Sequence, residues 1–279
     1  MSYDLYLSYS GRKSYLTCPR QYEFRYILKA QSDRNPRDSL FGSIIGKLFE
    51  WFYERRIWAE PDPLRTMLDL CEPAINHVFR SEKWDEQGDP PLSHTIRSDL
   101  RKYIPLSMEI IRKNELLTPY SKAELDLTVM YSSERHGLTL KIGGRADFVH
   151  SKDQRDVWLM DGKASQHRDK YVDAEQLIWY AVQHYLKNRV APSRLGFFFY
   201  KFPDDPIKWI SYDEDSMRAS ITQTFDVAKK IHLKVFPTTP SDECRLCDYR
   251  SLCDDGIKFM SNKKVEDRVT ESIFDLEQI

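Results

Sequence analysis

Apolar positions recur at two different periods along this chain, and the change from one to the other divides it. Up to about residue 118 the spacing is helical. Residues 41–58, FGSIIGKLFEWFYERRIW, set apolar side chains three and four apart, the mark of an amphipathic helix. Two prolines within 60–64 end it. LRTMLDLCEPAINHVF and SHTIRSDLRKYIPLSMEIIRKNELL, with a Pro-rich stretch between them, predict a helical insertion over about 60–118. Earlier in the chain, Tyr22 to Leu28 has aromatic spacing that suits a helix buried on one side. Pro19 fits a first helical turn, and Ser10 is a candidate cap for a helix beginning at Gly11 or Arg12.

Alternation then takes over. ELDLTVMYS (124–132), LTLKIGGRADFVHS (138–151) and DVWLMDGKAS (156–165) read as strands. A helix follows over about 173–187, then a strand at 194–202, a short one at 208–212, and a long helix over about 213–234. This order predicts an α/β fold with a small mixed sheet flanked by helices, in a single domain. A cysteine-rich segment occupies about 236–256 and a charged tail about 263–279. The chain holds no run of about 18 apolar residues. Its first residues lack the apolar core of a signal peptide, so the cytoplasm is the expected compartment.

Charge alters this picture little. The 42 basic and 43 acidic side chains nearly cancel, so a nucleic-acid surface would have to come from local clustering. Arg12, Lys13, Arg20, Arg25 and Lys29 form one such cluster, readable either as a solvated helix face or as part of a DNA-binding surface.

The chemistry concentrates in GGRADFVHSKDQRDVWLMDGKAS. Two strands flank a polar turn at 151–156, which sets Asp147 roughly opposite Asp161. Opposed residues of an antiparallel pair lie about 4.5–5.5 Å apart, and two carboxylates that close repel unless a cation stands between them. Asp161 and Lys163, two apart, share a face. Carboxylate oxygens bind Mg²⁺ or Mn²⁺, and a neighbouring lysine can orient or deprotonate a water. A hairpin with solvated charges is the plainer reading of any lone D-x-K. The apolar residues around both aspartates argue against it here, because unpaired charge in a central strand is costly. Downstream, Gln176 and Tyr180 are four apart and share a helix face.

The series G-x-x-D, D-x-K and Q-x-x-x-Y resembles the PD-(D/E)XK nuclease superfamily in its RecB-like branch. The resemblance implies a restriction-endonuclease-like core. It makes Asp147, Asp161 and the Gly162 carbonyl metal ligands and Lys163 the catalytic lysine, with Gln176 and Tyr180 orienting the site. The family's early helix motif is matched by Gly42 and Glu50, whereas its histidine position is held by Gly46. That departure bears on metal affinity and rate, and Glu50 is the residue placed to compensate.

Five cysteines are present, and Cys244, Cys247 and Cys253 are spaced C-x2-C-x5-C. Three thiolates need a fourth ligand, and Cys18, in T-C-P-R, is the best remaining candidate. Cys71 sits in an apolar helix and reads as a core thiol. Spacing alone leaves zinc open. One distant Cys-Pro with three C-terminal cysteines resembles the iron-staple nucleases, the AddB-type subunits and the CRISPR-associated exonuclease of spacer acquisition, which implies a 4Fe-4S cluster. A crosslink closing so long a loop would remove about 4–5 kcal/mol of unfolded-state entropy in the chain-entropy model.

The resemblance therefore implies a metal-dependent nuclease acting on single-stranded DNA or DNA ends. Two alternatives stand beside it: a catalytically impaired DNA-binding module of the same fold, suggested by Gly46, and a zinc-stapled nucleic-acid-binding protein without hydrolysis. G-S-I-I-G-K lacks the spacing of a Walker loop, so a helicase partner would have to supply any ATP motor.

Overall fold

A computed structural model of the chain describes residues 2–33, 40–81, 93–153, 156–165, 167–168 and 172–263. The strands are β1 (Leu5–Ser8), β2 (Lys122–Asp126), β3 (Val129–Ser133), β4 (Leu138–Gly143), β5 (Arg145–Ser151), β6 (Val157–Lys163), β7 (Arg194–Phe199) and β8 (Ile207–Ile210). The helices are α1 (Tyr9–Thr17), α2 (Pro19–Tyr22), α3 (Leu40–Glu54), α4 (Pro63–Asp69), α5 (Cys71–Ser81), α6 (Ser93–Lys113), α7 (Ala174–Asn188) and α8 (Glu214–His232). Two compact units result, Pro36–Tyr131 with Ile142–Thr222, and Met1–Asn35 with Ser132–Lys141 and Gln223–Ile279.

The first unit is built on a five-stranded mixed sheet in the order β2-β5-β6-β7-β8. Neighbours are antiparallel except β6 and β7, which are parallel. A parallel step needs a crossover, and α7 supplies it. The apolar stripe of α3 explains its place. Ile44, Ile45, Leu48, Phe49 and Phe52 pack with Phe148, Met160 and Phe198 of the sheet in one buried core. The described residues of 60–118 include helices α4, α5 and α6. Pro63 opens α4, the Asp62 side chain accepts from the Arg65 N–H at 3.1 Å, and Arg97 of α6 donates to Glu72 of α5 at 2.8 Å.

The second unit ties an N-terminal segment to a C-terminal one. The Tyr15 hydroxyl donates to the Val235 carbonyl at 2.6 Å, the Arg20 N–H to Pro237 at 3.2 Å and the Thr239 hydroxyl to Thr17 at 3.0 Å. Tyr22 stacks on Phe236 with ring centroids 6.1 Å apart. The strands outside the five-stranded sheet, taken from both stretches of chain, pair in the order β1-β4-β3.

Several boundaries differ from the periodicity. Residues 124–132 and 138–151 alternate without interruption, yet each is two strands shared between two sheets. The first breaks where the Asp126 carboxylate accepts from the Thr128 N–H at 2.9 Å. The second breaks at Gly144, where a Cβ would fall 1.9 Å from Gln183 Oε1, so only glycine lets α7 approach. Ser8, not Ser10, caps α1, because β1 ends there and its hydroxyl accepts from the Gly11 N–H at 3.2 Å. Tyr22 to Leu28 is not one regular helix: a π-helical turn, Glu23–Ile27, follows α2. The N-terminal basic cluster is not a uniformly solvated face. Arg12 is buried and lies 5.6 Å from the Tyr9 ring centroid, and Arg20 pairs with Glu23. The Pro-rich stretch at 82–92, turn residues 154–155 and the tail beyond 263 lie outside the described residues. Among the described residues no helix is long and apolar enough to cross a membrane.

Candidate active site and cysteine centre

Strand register assembles the site. β5 and β6 pair through Phe148 with Met160, and one step further along sets Asp147 against Asp161. β2 pairs with β5 through Ala123 with Phe148 and Leu125 with Ala146, which sets Glu124 against Asp147. Three carboxylates from three adjacent strands thus fall in one row. Glu124 is the residue that sequence reasoning misses.

Hydrogen bonds fix the remaining members. The Gly162 N–H donates to Asp147 Oδ2 at 2.8 Å. Lys163 Nζ lies 2.5 Å from Asp161 Oδ2 and donates to Gln176 Oε1 at 3.0 Å. Gln176 Nε2 donates to Asp161 Oδ1 at 2.8 Å and stands 3.1 Å from the Tyr180 hydroxyl. Helical spacing on α7 puts Gln176 and Tyr180 together over the end of β6, and α7 is anchored on β4 by Trp179 and Gln183, which donate to the Gly143 and Ile142 carbonyls. Gly162 is also sterically required, because a Cβ there would meet the Tyr200 hydroxyl at 2.7 Å and the Phe148 ring at 3.1 Å.

Electrostatics follow from burial. Asp161 is 4% exposed. Burial pushes the Asp147 carboxyl well above the usual carboxylate range and the Asp161 charge adds to it, while the Gly162 N–H opposes. Burial also raises Asp161, against the pull of the Lys163 ammonium and the Tyr180 hydroxyl. Glu124 is raised by burial and then by Glu50. Burial raises Tyr180 as well, reinforced by Asp161 and Asp147. Lys163 occupies the place where positive charge is demanded.

Glu50 stands apart from this network. It pairs with Lys47 on the same helix and reaches the site only through its charge on Glu124. Gly46, in the same turn, faces open space, since a Cβ there meets nothing within 4 Å. Gly42 lies against the strand end, its Cβ position 3.5 Å from that of Ala164.

In the second unit Cys18, Cys244, Cys247 and Cys253 line one cavity, with about 580 Å³ of space including its open mouth. Donors surround the sulfurs. Burial alone would raise Cys18, but hydrogen bonds from Thr239, Gln21 and Arg20 outweigh it and lower its pKa. The Ser241 N–H donates to Cys244 Sγ at 3.4 Å. Burial raises Cys247, and the charges of the other three cysteines add to it. Cys71 differs in kind: buried in the helical core, it donates to the Met67 carbonyl at 3.6 Å, and burial pushes its thiol up to about 11. Among the described residues no three His, Cys, Asp or Glu side chains stand already converged as a metal cage. The carboxylates are instead engaged by Lys163, Gln176 and the Gly162 N–H.

A raised folded-state carboxyl gives stability that is full below its unfolded value and is lost as pH rises through the folded one. At neutral pH without metal, Asp147 therefore carries a penalty. Asp147→Asn should raise Tm in EDTA at neutral pH by a few degrees, at about 2–4 °C per kcal/mol for a chain of this size. The gain should shrink on acidification. Thermal denaturation across pH checks this, and a lower Tm or a pH-independent gain would contradict it.

A model of the PD-(D/E)XK nuclease superfamily matches residues 6–254, a span that holds every carboxylate, lysine and cysteine described above. Among solved structures, the crystal structure of SSO0001 is similar over 80% of this chain and 98% of that one, at 13% identity and a TM-score of 0.36. No curated protein matches the sequence. Superfamily members are phosphodiester hydrolases that typically use Mg²⁺ or Mn²⁺, and their substrate is DNA. With a match from the first strand to beyond the last cysteine, this chain belongs to the PD-(D/E)XK nuclease superfamily.

Proposed function

We propose that the protein is a metal-dependent DNA nuclease that trims single-stranded DNA or DNA ends, with Asp147, Asp161 and Lys163 at its centre. The observation that carries this reading is the row of carboxylates, Asp161 buried and Asp147 and Glu124 half-buried, joined to one lysine. A row of that kind is stable only beside a cation, and its donors are hard oxygens suited to Mg²⁺ or Mn²⁺. Asp147, Asp161 and the Gly162 carbonyl would hold the ion, with Glu124 as a further carboxylate and Glu50 behind it. When bound, the ion supplies Lewis acidity toward a phosphate oxygen and acidifies a water.

The chain's own groups do the rest. An ammonium has three N–H donors, and Lys163 points toward Asp161 and Gln176, which leaves one for the attacking water. Gln176 fixes the lysine and Asp161 together, and Tyr180 fixes Gln176. As the water oxygen bonds to phosphorus, the bond to the leaving sugar oxygen breaks. Lys163 then lies where it orients the water and offsets the developing negative charge.

The four cysteines are proposed to hold a 4Fe-4S cluster that staples the N-terminal segment to the C-terminal one. Their shared cavity and the hydrogen bonds onto Cys18 and Cys244 support this, since donors around sulfur stabilise anionic ligands. A helicase or recombination partner would supply the opened strands.

Lys163→Ala should reduce cleavage at least about 100-fold while leaving Mn²⁺ binding in place. Asp161→Asn should lose both. Digestion of end-labelled linear and circular DNA, single- and double-stranded, is to be paired with Mn²⁺ calorimetry. Near wild-type cleavage by Lys163→Ala would remove the lysine from the mechanism, and a wild type inert with both metals would leave only a DNA-binding module.

Cys18→Ala should lose brown colour, iron and solubility together, whereas Cys71→Ala should lose none of them. Iron, zinc and acid-labile sulfide analysis of anaerobically purified protein decides this. Colourless wild type carrying stoichiometric zinc would replace the cluster with a zinc staple.

A further inference from the structure

One cluster in the first unit combines aromatic rings with cations that, among the described residues, lack acidic partners. Phe41, at the start of α3, meets Tyr103 of α6 edge-on, with ring centroids 6.0 Å apart. Lys201, just past β7, sets its ammonium 4.3 Å from the Phe41 centroid and 5.4 Å from that of Tyr103. Lys102 adds a second ammonium 4.9 Å from the Tyr103 centroid. Phe41, Tyr103 and Lys201 are half-buried and Lys102 is exposed. Among the described residues neither lysine has a carboxylate partner.

The cluster borders the end of the strand that bears Lys163. Gly42, next to Phe41, has its Cβ position 3.5 Å from that of Ala164, which follows Lys163. Tyr200, next to Lys201, donates its N–H to the Lys163 carbonyl at 3.2 Å. Phe41 and Lys201 are therefore each one residue removed from a contact with that strand end. Tyr103 comes from the helical insertion, whose presence the catalytic residues alone do not explain.

We propose that Phe41, Tyr103, Lys102 and Lys201 form a subsite for single-stranded DNA beside the cleavage centre, a reading that rests on the nuclease function above. Both rings pack against the hydrophobic core yet stay half-buried, and ammonium groups with no carboxylate partner among the described residues approach them. A nucleic-acid strand supplies what both need, a base face for a ring and phosphates for the lysines. A duplex offers the phosphates but keeps its bases stacked inside, so the subsite favours unpaired strands.

Fluorescence anisotropy with a labelled single-stranded oligodeoxynucleotide and its duplex, Ca²⁺ replacing Mg²⁺, tests the subsite on the full chain. Tyr103→Ala should weaken single-strand binding about 10-fold and duplex binding far less, and Tyr103→Trp should retain it. Lys201→Gln should weaken both and lower the salt slope by about one. Mn²⁺ affinity should stay unchanged in all three. If Tyr103→Ala fails to fold, Tyr103→Trp and Lys201→Gln carry the test. Wild-type affinity in Lys201→Gln and Tyr103→Ala, with wild-type protein cutting DNA, overturns the subsite alone. A wild type that neither binds nor cuts DNA overturns the nuclease reading as well.

Discussion

Carboxylates drawn together across three strands, with Asp161 buried and Asp147 and Glu124 half-buried, dictate how the rest of the first unit is built. Register sets Glu124, Asp147 and Asp161 in one row, and their full or partial burial weakens the water screening of their repulsion. Something positive must answer that charge. Lys163 does so in part by pairing with Asp161, and the raised carboxyls of Asp147 and Glu124 show how much is left unanswered. A dication held by Asp147 and Asp161 would meet the same demand, and Lys163 would then share Asp161 with it.

The surrounding fold serves to hold this unfavourable row in place. The parallel pairing of β6 and β7 requires a crossover, and the crossover helix α7 delivers Gln176 and Tyr180 to the strand end. Two glycines make the approach possible. Gly144 admits Gln183 of α7, and Gly162 leaves room for the Tyr200 hydroxyl while its N–H holds Asp147. On the α3 side, an apolar core of Phe49, Phe148, Phe198 and their neighbours supplies the stability that the charged row withdraws.

Most of the proposed centre is legible in the sequence because its geometry is local. Asp161 and Lys163 are related by the strand period, Asp147 and Asp161 by a short hairpin, and Gln176 and Tyr180 by one helical turn. Glu124 is not legible, since it joins the row only through pairing of β2 with β5, and its backbone adopts a left-handed φ of 51° that no periodicity signals. The division of residues 124–132 and 138–151 between two sheets is hidden for a similar reason. Alternation says where a strand runs and not which partner it takes, and the break at Gly144 is set by Gln183 from a later helix. Ser8 displaces Ser10 as the cap because β1, a short strand defined by its neighbours, ends there. Of the four cysteines that share the cavity, Cys244, Cys247 and Cys253 are close in sequence, whereas Cys18 reaches them only through the fold.

Proton release on metal binding tests the central claim most directly. Burial and the Asp161 charge raise the Asp147 carboxyl well above the usual carboxylate range, so a dication held by that carboxylate would compete with a proton there. Calorimetric titration of the protein with Mn²⁺, in buffers of widely different ionisation enthalpy and from acid to neutral pH, reads that proton. An observed enthalpy that varies with the buffer and a binding constant that rises with pH are expected. Binding whose heat is the same in every buffer, or no binding at all, would contradict it.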